Sequence, residues 1–115
     1  MLFTWDGTSD TVTDLDYVFY GSASSSARNR EMDKTGDSVD GPDSGSTPTS
    51  YLPDTDGAQQ RKAPKPSGGD KAVQRIEFTE LGESRAAGNG VGGHDETSEP
   101  VDTTFIVGPP TPGFP

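Results

Sequence analysis

The sequence predicts an all-β fold, a partial β-sandwich with long irregular loops rich in Gly, Pro and Asp. Two observations carry that expectation. Thr11 to Gly21, TVTDLDYVFYG, is the longest alternating apolar run in the chain, with Leu15, Tyr17 and Phe19 on one side and Asp14, Asp16, Val18 and Tyr20 on the other. Three further short runs, each bounded by turn residues, have strand composition and no helical period. Four short strands joined by Gly- and Pro-rich connections read as part of a sandwich.

The first strand is expected over residues 2–5, where Phe3 and Trp5 alternate with Leu2 and Thr4. Asp6 to Asp10 then makes a short loop, so the second strand, residues 11–20, should pair with it antiparallel and share a buried face. Residues 22–71 read as one long, weakly structured loop region. Its turn signals include Asp40-Gly41-Pro42-Asp43, Leu52-Pro53-Asp54 and Asp56-Gly57. Short extended pieces are expected near Ser38 to Asp40 and Ser50 to Leu52. Helix is not expected, and the best candidate, Ser26 to Lys34, has only Ala27 and Met32 to bury. The third strand falls within residues 72–81, with Ile76 and Phe78 on one face. The fourth is residues 103–107, β-branched or aromatic throughout. The proline-rich tail after Gly108 is excluded from a sheet interior.

Composition limits what these strands can build. Leu, Ile, Val and Phe supply 18 of 115 residues, and the net charge is -10. Both place the chain on the disordered side of the usual boundary. Ordering each residue costs about 1–2 kcal/mol of backbone entropy. An ordered minority, or a piece of a larger domain, is the expectation. Met1 leads straight into strand-like sequence, which reads as a truncated domain.

The acidic balance argues against a nucleic-acid partner, because phosphate binding needs clustered Lys and Arg. Arg61, Lys62 and Lys65 form the one small basic group, set among Pro and Gly as a solvated linker would be. No apolar run has the length of a membrane span. Residues 1–20 carry four Asp and no basic residue, unlike a signal peptide. Cysteine is absent, so neither a disulfide nor thiol chemistry is available.

Two groups of residues are candidate metal ligands. His94, Asp95, Glu96 and Glu99 are the densest set, one imidazole with three carboxylates. The chain has one His and no zinc-spaced second cluster, so a structural loop clamp is the default and a metal-assisted hydrolase centred on His94 the sharper alternative. Asp54-Thr55-Asp56-Gly57 resembles the start of a calcium loop but lacks the ligands that complete one, leaving solvating charge as its default. Calcium is the candidate ion at either place. Gly88 to Gly93 satisfies G-x-G-x-x-G, yet His94-Asp95-Glu96 follows instead of an apolar helix, so the glycines read as a loop with positive φ. Phe3, Trp5, Tyr17, Phe19 and Tyr20 read as core ahead of a stacking platform.

Read in order, these pieces resemble the C-terminal half of a bacterial lamin tail domain, an immunoglobulin-like module. The resemblance runs through Leu2 to Asp10, Val12 to Gly21, Lys34 to Asp43, Ser50 to Thr55, Gln74 to Ile76, Gly88 to Glu99, Thr104-Phe105 and Thr111 to Gly113. The family's opening strands are absent from this chain. The resemblance implies a non-enzymatic structural or interaction module of a secreted or cell-surface protein, with a protein or cell-surface partner and no catalytic residues to carry over. A calcium-binding structural or adhesive β-module is the alternative.

Overall fold

The computed structural model describes residues 1–20, 33–79 and 82–111. The fold is small and β-rich. Among the described residues six short strands pair antiparallel in three two-stranded sheets. The first joins β1 (Leu2–Thr4) to β2 (Thr13–Asp16), the second β3 (Ser38–Val39) to β4 (Thr49–Ser50), and the third β5 (Ala72–Arg75) to β6 (Phe105–Gly108). The extended pieces expected near Ser38 and Ser50 therefore pair with each other. The helix candidate at Ser26 to Lys34 lies mostly outside the described residues, as do Glu80 and Leu81.

The β1–β2 turn is set by Asp6. Its carboxylate accepts hydrogen bonds from the backbone N–H groups of Thr8 and Ser9, at 2.9 and 2.7 Å, and from the Ser9 hydroxyl. Gly7 supplies the positive φ of 86° that the turn needs. Pairing then slips: Leu2 faces Asp16 and Phe3 faces Asp14, leaving Leu15 as a bulge. The bulge breaks the simple alternation of the second strand. Asp14 becomes buried at 2% exposure although it falls on the polar side of the pattern.

Strand β2 is shorter than the expected 11–20. The Tyr17 N–H donates to the Asp16 side chain at 2.7 Å, so a local bond replaces the ladder. Beyond it, the Phe19 carbonyl accepts from the Ala63 N–H at 2.8 Å, which ties this segment to the long central region.

Helical structure, which the sequence did not predict, occurs near the end of the described chain. Glu96–Ser98 forms a 3₁₀ turn capped by the Asp95 side chain, which accepts from the Thr97 N–H at 3.0 Å. Val101–Thr104 forms one α-helical turn, α1. The Pro100 carbonyl accepts from the N–H groups of Thr103 and Thr104 at 2.8 and 3.2 Å. That pulls Thr103 and Thr104 out of the expected strand, so β6 begins at Phe105.

The apolar core is small. Tyr17, Phe19 and Val101 are buried, with Phe105 packed partly against them. The Tyr17 hydroxyl donates to Gln60 Oε1 at 2.8 Å, and Gln60 Nε2 donates to the Thr55 carbonyl at 2.9 Å. Phe3, Trp5 and Tyr20, expected in the core, are instead about half or more exposed. A strand three residues long with its partner on one side only has nothing to cover Phe3. Ile76 and Phe78 are exposed as well.

The glycine loop packs backbone against backbone. A Cβ on Gly88 would meet Asp95 Cα and the His94 carbonyl oxygen at 2.5 Å each. We expect Gly88→Ala to lower stability by about 1–3 kcal/mol through overpacking. A urea midpoint shift against the parent chain measures it.

Candidate functional site

Buried charge, not apolar surface, fills much of the interior. Asp14, Asp54, Asp95, Glu96 and Glu99 are each at most 5% exposed. Burying a carboxylate is costly unless cations and donors meet it. Three basic side chains meet Asp14, Asp54, Asp95 and Glu99.

Lys34 lies between Asp14 and Asp54. Its Nζ is 2.8 Å from Asp14 Oδ2, and 3.1 and 3.3 Å from the two oxygens of Asp54. The Lys34 N–H also donates to Asp54 Oδ2 at 2.8 Å, and the Asp54 N–H donates to Thr35 Oγ1 at 3.1 Å. The two segments therefore grip each other through backbone and side chain together. Tyr51 lies with its ring centre 5.7 Å from Lys34 Nζ. Asp14 is held from behind, its N–H donating to the Asn89 carbonyl at 3.0 Å. Among the described residues Asp14 Oδ1 accepts no hydrogen bond, although it is buried.

Two aspartates share one ammonium in this site. Burial opposes the charge on Lys34, but the Asp14 hydrogen bond and both carboxylates outweigh it and hold its pKa above the ordinary value. Burial raises the pKa of Asp54, with the Asp95 charge adding to it, against the stabilising contacts from Lys34. The two directions agree, because the triad carries one more negative charge than positive.

Arg85 serves Asp95, and Arg75 serves Glu99. Arg85 Nη1 donates to the Asp54 carbonyl at 2.9 Å and lies 3.6 Å from Asp95 Oδ2. Asp95 also accepts from Thr55 Oγ1 at 2.7 Å and from the Thr97 hydroxyl at 2.6 Å. Arg75 spans two carboxylates, with Nη1 2.7 Å from Asp16 Oδ2 and Nη2 2.9 Å from Glu99 Oε1. Its guanidinium stands over the Phe105 ring at 5.6 Å.

The expected metal ligands fall to separate tasks. His94 Nδ1 is 3.4 Å from Glu83 Oε2, beside a cavity of about 230 Å³ lined by Leu15, Glu83, Val91, His94 and Glu96. Asp95 caps a turn, and Glu99 pairs with Arg75. Asp54 holds Lys34, while Asp56 accepts from the Ala58 N–H at 2.7 Å. Among the described residues the acids that converge are Asp10, Asp40 and Asp43, one ligand atom from each lying within 4.8 Å of the others. Asp10 already accepts from Thr49 Oγ1 and the Gly41 N–H, at 2.6 and 2.8 Å, and Asp43 from the Gly45 N–H. A loop clamp accounts for that grouping.

No family model, curated protein or solved structure matches the chain.

The sequence pattern did not single out Lys34, Arg75 or Arg85 as site residues. Lys34 and its aspartates are 20 residues apart on either side, a spacing with no periodic signature. The one available signal was their scarcity: few cations in an acidic chain, with Arg75 at the end of a strand-forming run.

The Asp10 clamp gives a pH prediction. Hydrogen bonds from Thr49 and Gly41 hold the Asp10 pKa below its ordinary 3.8. A lowered carboxylate pKa stabilises the fold above 3.8, and that contribution is lost as pH falls through the folded-state value. The Gly41 amide resonance should therefore titrate with a midpoint under 3.8, and Asp10→Asn should abolish the titration.

Proposed function

We propose that this chain is a non-enzymatic structural and interaction module of the lamin-tail kind, a partial immunoglobulin-like sandwich of a secreted or cell-surface protein with a polypeptide partner. The order of motifs from Leu2 to Gly113 supports the family reading. The observation that carries the interaction is the apolar groove lined by Val18, Tyr20, Val73 and Phe105, with a volume of about 280 Å³. It is formed beside the β5–β6 pair, where Ile76, Phe78 and Ile106 are also exposed. Among the described residues β6 pairs with β5 alone, so its outer edge is open. An open edge beside apolar surface accepts a further strand.

Without its partner, such an edge pairs with a second copy once the net charge of -10 is screened by salt. Light scattering on the full chain at high ionic strength should show association rising with concentration. Ile106→Lys, which places a charge on the edge strand, should keep the chain monomeric. A parent chain that stays monomeric at every concentration, with its β6 amides protected from hydrogen exchange, would count against the reading. A rise in Tm on adding calcium would favour a calcium-dependent module instead.

A further inference from the structure

We propose that Lys34 and Asp54 become joined by an intramolecular amide bond, with Asp14 as the residue that moves the proton. The arrangement is a nucleophile, an acyl carbon and a proton carrier in a buried site. Lys34 Nζ stands at nearly equal distances, 3.1 and 3.3 Å, from the two Asp54 oxygens, so it faces the carboxyl carbon between them. These contacts hold the amine against the carboxyl group it would attack, the positioning that makes such a reaction effectively unimolecular. Asp14 Oδ2 touches the same nitrogen at 2.8 Å. Both aspartate side chains are 2% exposed, whereas that of Lys34 is 21% exposed.

The chemistry balances without an outside reagent. Asp14 takes a proton from the Lys34 ammonium, which frees the nitrogen lone pair, and passes it to an Asp54 oxygen. The amine then attacks Cγ of the protonated Asp54, forming the C–N bond. Asp14 takes the second proton, released by the attacking nitrogen, and gives it to the departing hydroxyl. That hydroxyl leaves as water. Overall one ammonium and one carboxylate become one amide and one water. No oxidant or cofactor is involved, and Asp14 ends as it began.

Several features favour this over a lasting ion pair. The triad holds two carboxylates for one ammonium, so burial leaves one negative charge without a cation inside the triad. Burial already pushes Asp54 toward its protonated form, the form that is attacked. Asp14 Oδ1 accepts no hydrogen bond among the described residues, leaving that oxygen available to hold a proton. Backbone contacts fix both partners: the Lys34 N–H holds Asp54 Oδ2, and Thr35 holds the Asp54 N–H. Amide formation also replaces two buried charges by one neutral group. The bond would close a covalent ring around the β3–β4 hairpin, which lies between the two residues.

Intact-mass measurement of the purified full chain decides the matter. The expected mass is that of the sequence less one water. Digestion with trypsin should leave the bond after Lys34 uncut. Fragmentation should show one branched peptide linking Lys34 to Asp54. Lys34→Arg and Asp14→Asn should both restore the full mass, and in Asp14→Asn trypsin should cut after Lys34 again. A parent chain of unmodified mass overturns the proposal. So does a water loss confined to an Asp-Gly pair within one linear peptide, or a branch from Lys34 to Asp14. Persistence of the Lys34–Asp54 branch in Asp14→Asn would overturn the role of Asp14. Circular dichroism of each variant, matched to the parent, separates lost chemistry from lost folding.

Discussion

Tyr17→Ala should abolish cooperative folding. Tyr17 is fully buried and is the largest of the three side chains that make the apolar core. Removing a buried aromatic side chain costs about 3–5 kcal/mol, through lost transfer energy and the cavity left behind. A single small core seldom supplies more than about 3–5 kcal/mol in total. The loss therefore equals the stability available, and no second cluster of comparable size exists among the described residues to absorb it. Tyr17→Phe isolates the polar part. It keeps the ring but leaves Gln60 Oε1 without the donor 2.8 Å away, a buried acceptor whose loss costs about 1–3 kcal/mol. Urea unfolding followed by circular dichroism should give a lowered midpoint for Tyr17→Phe and no transition for Tyr17→Ala. An intact transition in Tyr17→Ala would show that the core lies elsewhere.

Arg75→Ala should cost nearly as much, by a different route. Arg75 is the cation that meets Glu99, itself 3% exposed, and it reaches across to Asp16 at the end of β2. Removing it leaves a buried carboxylate without that partner, a change worth about 3–5 kcal/mol. It also cuts a link between the first and third sheets. Arg75→Lys should recover at most one of the two contacts, because an ammonium lacks the fork that spans two carboxylates. The double variant Arg75→Met/Glu99→Gln removes both charges and should be more stable than Arg75→Ala alone. If Arg75→Ala unfolds at the parent midpoint, the pair is ornamental. Hydrogen exchange at β6 locates the damage, since Gln74 and Arg75 carry the ladder to Ile106 and Phe105.

The elements legible in the sequence are those fixed by local pattern. The strand-rich character, the Asp6-Gly7 turn and the two small extended pieces in the central loop all follow from residue type over a few positions. The errors have physical causes. The bulge at Leu15 exchanged the faces of β2, so Asp14 entered the interior against its pattern. The Pro100 carbonyl captured Thr103 and Thr104 into α1 despite their strand preference. Apolar character alone places Phe3, Trp5 and Tyr20 in a core, but a two-stranded sheet covers little and leaves them exposed. The Lys34, Arg75 and Arg85 contacts depend on residues brought together by loops, and no spacing rule reaches across 20 positions.

The polar interior has a thermal consequence. Four apolar side chains are buried against eight polar or charged ones among the described residues. Exposing apolar surface raises the heat capacity on unfolding, and exposing polar surface lowers it. The heat-capacity increment per residue should therefore fall below the usual value of about 12–15 cal/mol/K. A small increment flattens the curve of stability against temperature. What stability this fold has should change little on cooling, and its loss on heating should be gradual.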